Sequence, residues 1–510
     1  MGHCNTNCIR WALAWPLVCV IALSAALVDL AGAGDPRPLP NIVIIYADDM
    51  GYGDLGVQNP ESKIPTPHLD RLATEGTRFT DAHSSSAICS PSRFGLLTGC
   101  YHWRRMHDIV RPFGQSVFRA GDVTLPAMLK TAGYRTACIG KWHLGWDWNA
   151  IKQPDAKPDP KTGYAADAFD WSRPVPDGPT AHGFDYYFGN DVPNFPPYSW
   201  FENDRVLVPP TEPVAPKGQP AEAGWDTWGG PMPKDWDFGA VVPKLTQETV
   251  DWIAEQRGKP GPFFLYLPQN SPHTPIVPAK EFRGRSQAGG FGDWVAQTDD
   301  NVGRILAALA ENGFADNTLV IFSSDNGPES MAYKRIKNFC HRSSGPLRGV
   351  KRDLWEGGHR IPFLVRWPAH VKAGAVSDAL VSQVDLMATL AAVVGAELPA
   401  GAAPDSYSLL DVWEKGAESP RHTIIHNTNP GGYAVRHDNW LLVAAKTGAV
   451  SKPPEWFNEE FGYGKNEFAG ELYDLSQDLG EHRNLYGERA DKVAELDSLL
   501  KQIRAKGQVR

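Results

Sequence analysis

Five short apolar runs, rich in β-branched and aromatic residues, recur along the chain at 41–47, 136–139, 262–267, 318–322 and 362–366. Each is short enough for a strand, and its continuous apolar character marks a strand covered on both faces. Helical patterns lie between them. Leu69, Leu72 and Ala73 recur within 66–76; Val295, Val302, Ile305, Leu306 and Leu309 recur within 294–310; a third pattern covers 384–394. Strands alternating with helices predict an α/β fold, a mostly parallel sheet sandwiched by helices. In such sheets ligands bind beyond the carboxyl ends of the strands. Four of the five runs end there in polar residues: Asp48-Asp49, Gly140-Lys141-Trp142-His143, Ser271-Pro272-His273 and Ser324-Asp325-Asn326-Gly327. That coincidence is the first functional signal.

The rest of the 510 residues divides around this core. Residues 146–245 are rich in Pro, Gly, Trp and Tyr and lack periodicity, so they read as a loop-rich insertion decorating the sheet. From about 400 a smaller α+β subdomain is expected, with hairpin-like runs at 423–426 and 433–445. It ends in a helix near 490–505 that carries Val493, Leu496, Leu499, Leu500 and Ile503 on one face. This gives a catalytic domain at 34–399 and a C-terminal subdomain at 400–510. Residues 1–33 read as a signal peptide: Arg10, an apolar run at 11–28 broken by Pro16, then small residues ending Ala31-Gly32-Ala33. The expected location is an exported one: periplasmic, secreted or lysosome-like. The alternative is an uncleaved anchor, because the run is close to spanning length. Leu17-Val18 before Cys19 is not the small-residue context of a lipidated cysteine. No later segment is long and apolar enough to span a bilayer, so no stable span is expected after cleavage. A net charge of -9 argues against nucleic acid as the partner, although a small cationic pocket can sit on an acidic protein.

Three clusters carry candidate chemistry. Adjacent carboxylates such as Asp48 and Asp49 repel, and need a cation or donors nearby. Alone, they could simply cap a turn. Asp325 and Asn326 add hard oxygen donors, and the combined set suits Ca²⁺ or Mg²⁺ rather than zinc, which prefers His and Cys. In Cys89-Ser90-Pro91-Ser92-Arg93, Pro91 sits where a helix could start, so Cys89 would lie at a positive helix terminus. Such a terminus favours an anion and activates a thiol. Arg93 in the first turn can donate back to the site. A lone cysteine in an exported protein could instead be a half-cystine.

Cys89-Ser90-Pro91-Ser92-Arg93, closed by Leu97-Thr98-Gly99, resembles the signature of the type I sulfatases. Gly140-Lys141-Trp142-His143-Leu144-Gly145 is similar to that family's second signature, and His273 and Lys351 match its later histidine and lysine. The resemblance spans about 41–368, and more weakly the C-terminal unit. It implies an alkaline-phosphatase-like fold and a sulfate ester hydrolase. It implies that a formylglycine-generating enzyme converts Cys89 to Cα-formylglycine, whose hydrated aldehyde is the nucleophile. It also implies one Ca²⁺ held by Asp48, Asp49, Asp325, Asn326 and the modified Cys89. Arg93, Lys141, His143, His273 and Lys351 would then bind sulfate and move protons. Cys100, Cys138 and Cys340 remain, enough for one disulfide at most. His182-Gly-Phe-Asp-Tyr-Tyr-Phe-Gly189 is similar to carbohydrate-acting members, including N-acetylgalactosamine-6-sulfatase-like enzymes, which implies a sulfated carbohydrate substrate. Trp171, Tyr186, Tyr187, Phe188, Phe195, Tyr198, Trp200 and Phe201 are candidates for stacking on sugar rings, or for plain packing. The alternatives are a simple aryl sulfatase, a phosphatase or phosphodiesterase of the same fold, and a glycan binder with Cys89 unmodified.

Overall fold

The sheet is built around the strand expected at 41–47. In chain order its strands are β1 (Asn41–Ala47), β2 (Thr77–Phe79), β3 (Arg135–Ile139), β4 (Tyr186–Gly189), β5 (Phe201–Glu202), β6 (Arg205–Val206), β7 (Phe263–Pro268), β8 (Thr318–Ser324), β9 (Phe363–Arg366) and β10 (Ala375–Ser377). The order across the sheet is β10-β2-β9-β8-β1-β7-β3-β4-β5-β6. The computed structural model describes residues 1–2, 38–159, 163–214 and 227–509. The expected export signal, with Cys4, Cys8 and Cys19, lies outside the described residues apart from Met1 and Gly2. Among the described residues no helix is long and apolar enough to cross a membrane.

The central five strands, β8, β1, β7, β3 and β4, are parallel. Every residue of β1 is buried, as its unbroken apolar run requires. Its side chains alternate between two cores. Ile42, Ile44 and Tyr46 meet helices α2 (Cys89–Thr98), α3 (Leu125–Thr131) and α6 (Leu386–Val394) through Phe94, Leu129 and Leu390. Val43 and Ile45 meet α1 (Pro67–Thr74), α4 (Phe238–Glu255) and α5 (Gly289–Glu311) through Leu72, Leu245 and Val302. The sheet is therefore covered on both faces.

Two regions depart from the sequence expectation. The run at 362–366 forms a strand, β9, but it pairs antiparallel with β8. After β8 the chain passes through the segment carrying Lys351, on the edge where β8 ends, and re-enters the sheet from that edge. The insertion at 146–245 is also more than loops. It supplies β4, β5 and β6, which extend one side of the sheet, and the first turns of α4. Strands of two to four residues are too short to show periodicity, and this hid them.

A four-stranded antiparallel sheet follows: β11 (Thr423–Asn429), β12 (Gly432–His437), β13 (Trp440–Val443) and β14 (Glu471–Asp474). Helix α7 (Ala490–Lys506) packs on it through Leu496, Leu500 and Ile503. The sheet is tied to the larger one by a buried charge network. Arg436 of β12 donates to both oxygens of Asp81, at 2.7 and 2.6 Å, and to Glu356 Oε2 at 3.0 Å. His426 of β11 lies 3.3 Å from His83 and stacks on His359.

Candidate active site

The strand order explains why distant motifs meet. Neighbouring β8, β1, β7 and β3 are parallel and nearly in register, with Ala47 opposite Ser324 and Tyr46 opposite Pro268. Their polar continuations therefore emerge side by side at one edge. Asp48 N donates to Ser271 O at 3.1 Å, Asp325 N to Ala47 O at 3.0 Å and Lys141 N to Pro268 O at 2.8 Å. Gly140 makes the last contact possible. A side chain there would place Cβ 2.0 Å from Pro268 O, and its φ of +135° disfavours other residues.

Cys89 is the first residue of α2, as the position of Pro91 suggested. It is buried beside Lys351 Nζ, 3.2 Å from its sulfur. Burial pushes the thiol up to about 11, against the pull of Lys141 and Lys351. Desolvation thus outweighs the two lysines, and the bare thiol stays protonated at neutral pH. Cys100, Cys138 and Cys340 are also free thiols.

Cations and carboxylates interlock around that residue. Lys351 Nζ donates to Asp49 Oδ1 at 2.6 Å and Lys141 Nζ to Asp48 Oδ2 at 2.5 Å. Arg93 donates to Asp325 Oδ2 at 2.8 Å and lies 3.6 Å from Asp48. Asn326 Nδ2 donates to Asp49 Oδ1 at 2.7 Å, and Asp49 N to Asp325 Oδ1 at 3.1 Å. Asp49 is held well below the usual carboxylate range, Lys351 and His273 offsetting the cost of its burial. Asp325 is pushed up to about 7 by burial and by the charge of Asp48, with Arg93 pulling the other way.

Asp48, Asp49, Cys89 and His273 bring ligand atoms within 4.8 Å of one another, a spacing that could hold a metal ion. Asp325 and Asn326 join this group through the bonds to Asp49. Asp48 Oδ1 and Asn326 Oδ1 are buried and without a hydrogen-bond partner. Two unpartnered hard oxygens, beside carboxylates whose charge raises the proton affinity of Asp325, fit an oxygen-preferring divalent cation. The sequence-expected donors Asp48, Asp49, Asp325 and Asn326 would supply that chemistry to a bound ion.

The two histidines are set differently. His143 Nε2 donates to Val110 O at 3.1 Å, which leaves Nδ1, buried and unpartnered, as a lone-pair acceptor. Burial, with Lys141 and Arg93, holds this ring well below its ordinary pKa. Asp191, pushed up to about 6 by burial, accepts from the His143 backbone. His273 Nδ1 donates to Thr274 O at 2.6 Å, and its Nε2 lies 3.8 Å from Asp49 Oδ2. Burial lowers it to about 4, although Asp49 opposes this.

Cys89, His143, His273 and Lys351 open into a cavity of about 600 Å³. Its walls include residues that sequence reasoning missed: Glu329, Arg352 and Trp228. Of the eight aromatics singled out in the insertion, only Phe195 reaches this cavity, and Trp228 packs beside it with ring centroids 4.9 Å apart. Tyr187, Tyr198 and Phe201 are fully buried packing residues, and Trp200 stacks on Phe188.

This architecture, a helix-covered parallel sheet with an acid and cation centre at its carboxyl edge, defines an alkaline-phosphatase-like α/β protein. The Sulfatase family model matches residues 40–396. The chain belongs to that family and is a sulfuric ester hydrolase. It is 33% identical to an N-acetylgalactosamine-6-O-sulfatase of Bacteroides thetaiotaomicron, over 93% of this chain and 94% of the relative. It is 34% identical to human N-acetylgalactosamine-6-sulfatase, over 76% of this chain and 68% of the relative. Among solved structures it resembles a Bacteroides thetaiotaomicron sulfatase described in the metabolism of multiple glycosaminoglycans. The TM-score is 0.76 and the identity 31%, covering 92% of this chain and 99% of the other.

Proposed function

We propose that this sulfatase removes sulfate from a sulfated glycan, at a 6-sulfated galactose or N-acetylgalactosamine unit, in an exported compartment. We further propose that residue 89 works as formylglycine beside one Ca²⁺. The observation that carries the reading is the convergence of Asp48, Asp49, Asp325, Asn326, Lys141, Lys351, His143 and His273 around Cys89. Similarity to N-acetylgalactosamine-6-sulfatases over most of the chain supports the sugar class.

Asp48, Asp49, Asp325 and Asn326 would hold Ca²⁺, which would supply positive charge to stabilise the sulfate oxygens and lower the pKa of the nucleophilic hydroxyl. Formylglycine at residue 89 would supply a hydrated aldehyde, whose second hydroxyl would give a sulfate ester an exit closed to serine. The chain's own residues do the rest. Lys141, Lys351 and Arg93 place fixed positive charge around a site that admits one sulfate anion. Asp325 accepts the proton of the attacking hydroxyl. His143, neutral with a free Nδ1 lone pair, accepts the proton released as the aldehyde re-forms. His273, assisted by Lys351, protonates the leaving alcohol. An incoming sulfate anion raises the His273 pKa, opposing the burial that lowers it. Phe195 and Trp228 offer an apolar wall for a sugar ring.

The test is sulfate release from a panel of defined sulfated saccharides. Release from 6-sulfated galactose or N-acetylgalactosamine units supports the reading. Turnover of 4-nitrophenyl sulfate with release from no saccharide overturns it in favour of a simple aryl sulfatase.

A further inference from the structure

Three non-glycine residues of the cavity region hold left-handed backbone: Asp49 at φ +68°, His143 at +56° and Arg352 at +80°. Such backbone is unfavourable for residues with a Cβ and persists where the surroundings enforce it, commonly at functional sites. Asp49 and His143 already have roles. Arg352 has none, and it lines the same cavity. Its backbone is fixed by bonds on both sides: Arg352 N donates to Ala87 O at 2.9 Å, and Lys351 N to Pro328 O at 2.8 Å.

Arg352 Nη1 donates to Glu329 Oε1 at 2.6 Å, and Ser330 N donates to the same oxygen at 2.7 Å. The second oxygen, Glu329 Oε2, lies 3.9 Å from Lys351 Nζ, the nitrogen that contacts Cys89. Among the described residues, no side chain or backbone group donates to Glu329 Oε2, and none accepts from Arg352 Nη2. The side chains are 41% and 25% exposed, so the pair adds little to folding stability and does not account for the left-handed backbone. A carboxylate with a free acceptor, next to a guanidinium with free donors, matches neighbouring hydroxyls, each of which both donates and accepts.

We propose that Glu329 and Arg352 form the specificity site for the sugar that carries the sulfate. Glu329 Oε2 accepts from, and Arg352 donates to, ring hydroxyls beside the esterified carbon. This rests on the glycan reading above. An aryl ring offers no such hydroxyls, so the pair discriminates between the two ester classes.

The experiment compares kcat/KM on a defined 6-sulfated N-acetylgalactosamine saccharide with kcat/KM on 4-nitrophenyl sulfate. It uses the full chain, Glu329→Gln and Arg352→Ala, each checked for an unchanged melting transition. Arg352→Lys, which keeps the charge but loses the planar fork, serves if Arg352→Ala does not fold. The ratio of saccharide to aryl turnover falls roughly 10- to 100-fold in each variant, as expected for losing hydrogen bonds to charged groups. The saccharide KM carries most of the loss. Equal losses on both esters overturn the proposal and reduce the pair to a support for Lys351. An unchanged ratio overturns it as well. A wild-type enzyme that cleaves the aryl ester and no saccharide overturns the glycan reading itself, and the proposal with it.

Discussion

Replacing Lys351 by Ala tests the electrostatics of the centre most sharply. Its ammonium is 3% exposed, 2.6 Å from Asp49 Oδ1 and 3.2 Å from the Cys89 sulfur. A unit charge 3.2 Å away at an effective dielectric near 20 interacts by about 5 kcal/mol. Only the part that grows between bound substrate and transition state accelerates the reaction. Fixed donors at developing charge contribute roughly 3–4 kcal/mol, so kcat falls on the order of 10²- to 10³-fold. Stability falls too, because a buried carboxylate loses its cation. Asn326 Nδ2 still donates to the same oxygen, which puts the loss at about 3 kcal/mol, the lower end for a broken buried pair. The assay is steady-state hydrolysis of 4-nitrophenyl sulfate at urea concentrations where the variant is fully folded. A folded Lys351→Ala enzyme that loses less than tenfold in kcat, or changes only in KM, refutes this assignment.

Other expectations follow from the same reasoning. Arg436→Ala leaves Asp81 and Glu356 buried without their main cation, so urea denaturation reads a loss of about 3–5 kcal/mol; a loss under 1 kcal/mol contradicts the network's role. His102 is lowered to about 3 by burial. The unfolded chain therefore takes up the proton first, and this contribution, present above about pH 6.5, is lost as pH falls. Buried Asp299, raised to about 7, titrates in the opposite sense, so the histidine is read by difference. Relative to wild type, His102→Gln gains roughly 3 kcal/mol between pH 7.5 and 4.5; a constant difference excludes the buried neutral ring. Calcium at 100 times its dissociation constant stabilises the protein by about 3 kcal/mol, and Asp48→Asn abolishes most of that gain in melting experiments. Equal stabilisation of both proteins removes Asp48 from the ion's shell.

Much of this was legible because it is local. The run at 41–47 is apolar without alternation, so it had to be a strand covered twice, and Asp48-Asp49 had to follow at its end. The same logic placed Lys141, His143, His273, Asp325 and Asn326 on one edge once the strands were taken as parallel. What was hidden depends on the approach of distant segments. β4 is a Tyr-Tyr-Phe-Gly stretch that reads as loop until it pairs with β3. Trp228, Glu329 and Arg352 come from three separate segments and share a cavity only after folding; the one local hint was Arg352 directly after Lys351. The insertion aromatics show the limit of composition, since Tyr187 and Phe195 are equally aromatic but one is core and the other is cavity wall. Cys89 shows how competing effects are ranked, with burial outweighing the pull of Lys141 and Lys351.

The chemistry turns on residue 89, and mass spectrometry of the tryptic peptide 79–93 tests its modification directly. The protein is produced with a formylglycine-generating enzyme, and its turnover is measured in parallel. The expected product is a peptide in which Cys89 has lost sulfur and gained an aldehyde that reacts with a hydrazide probe. Turnover should rise in proportion to the converted fraction and be absent from Cys89→Ala. Full activity from protein whose residue 89 is an intact thiol would contradict it.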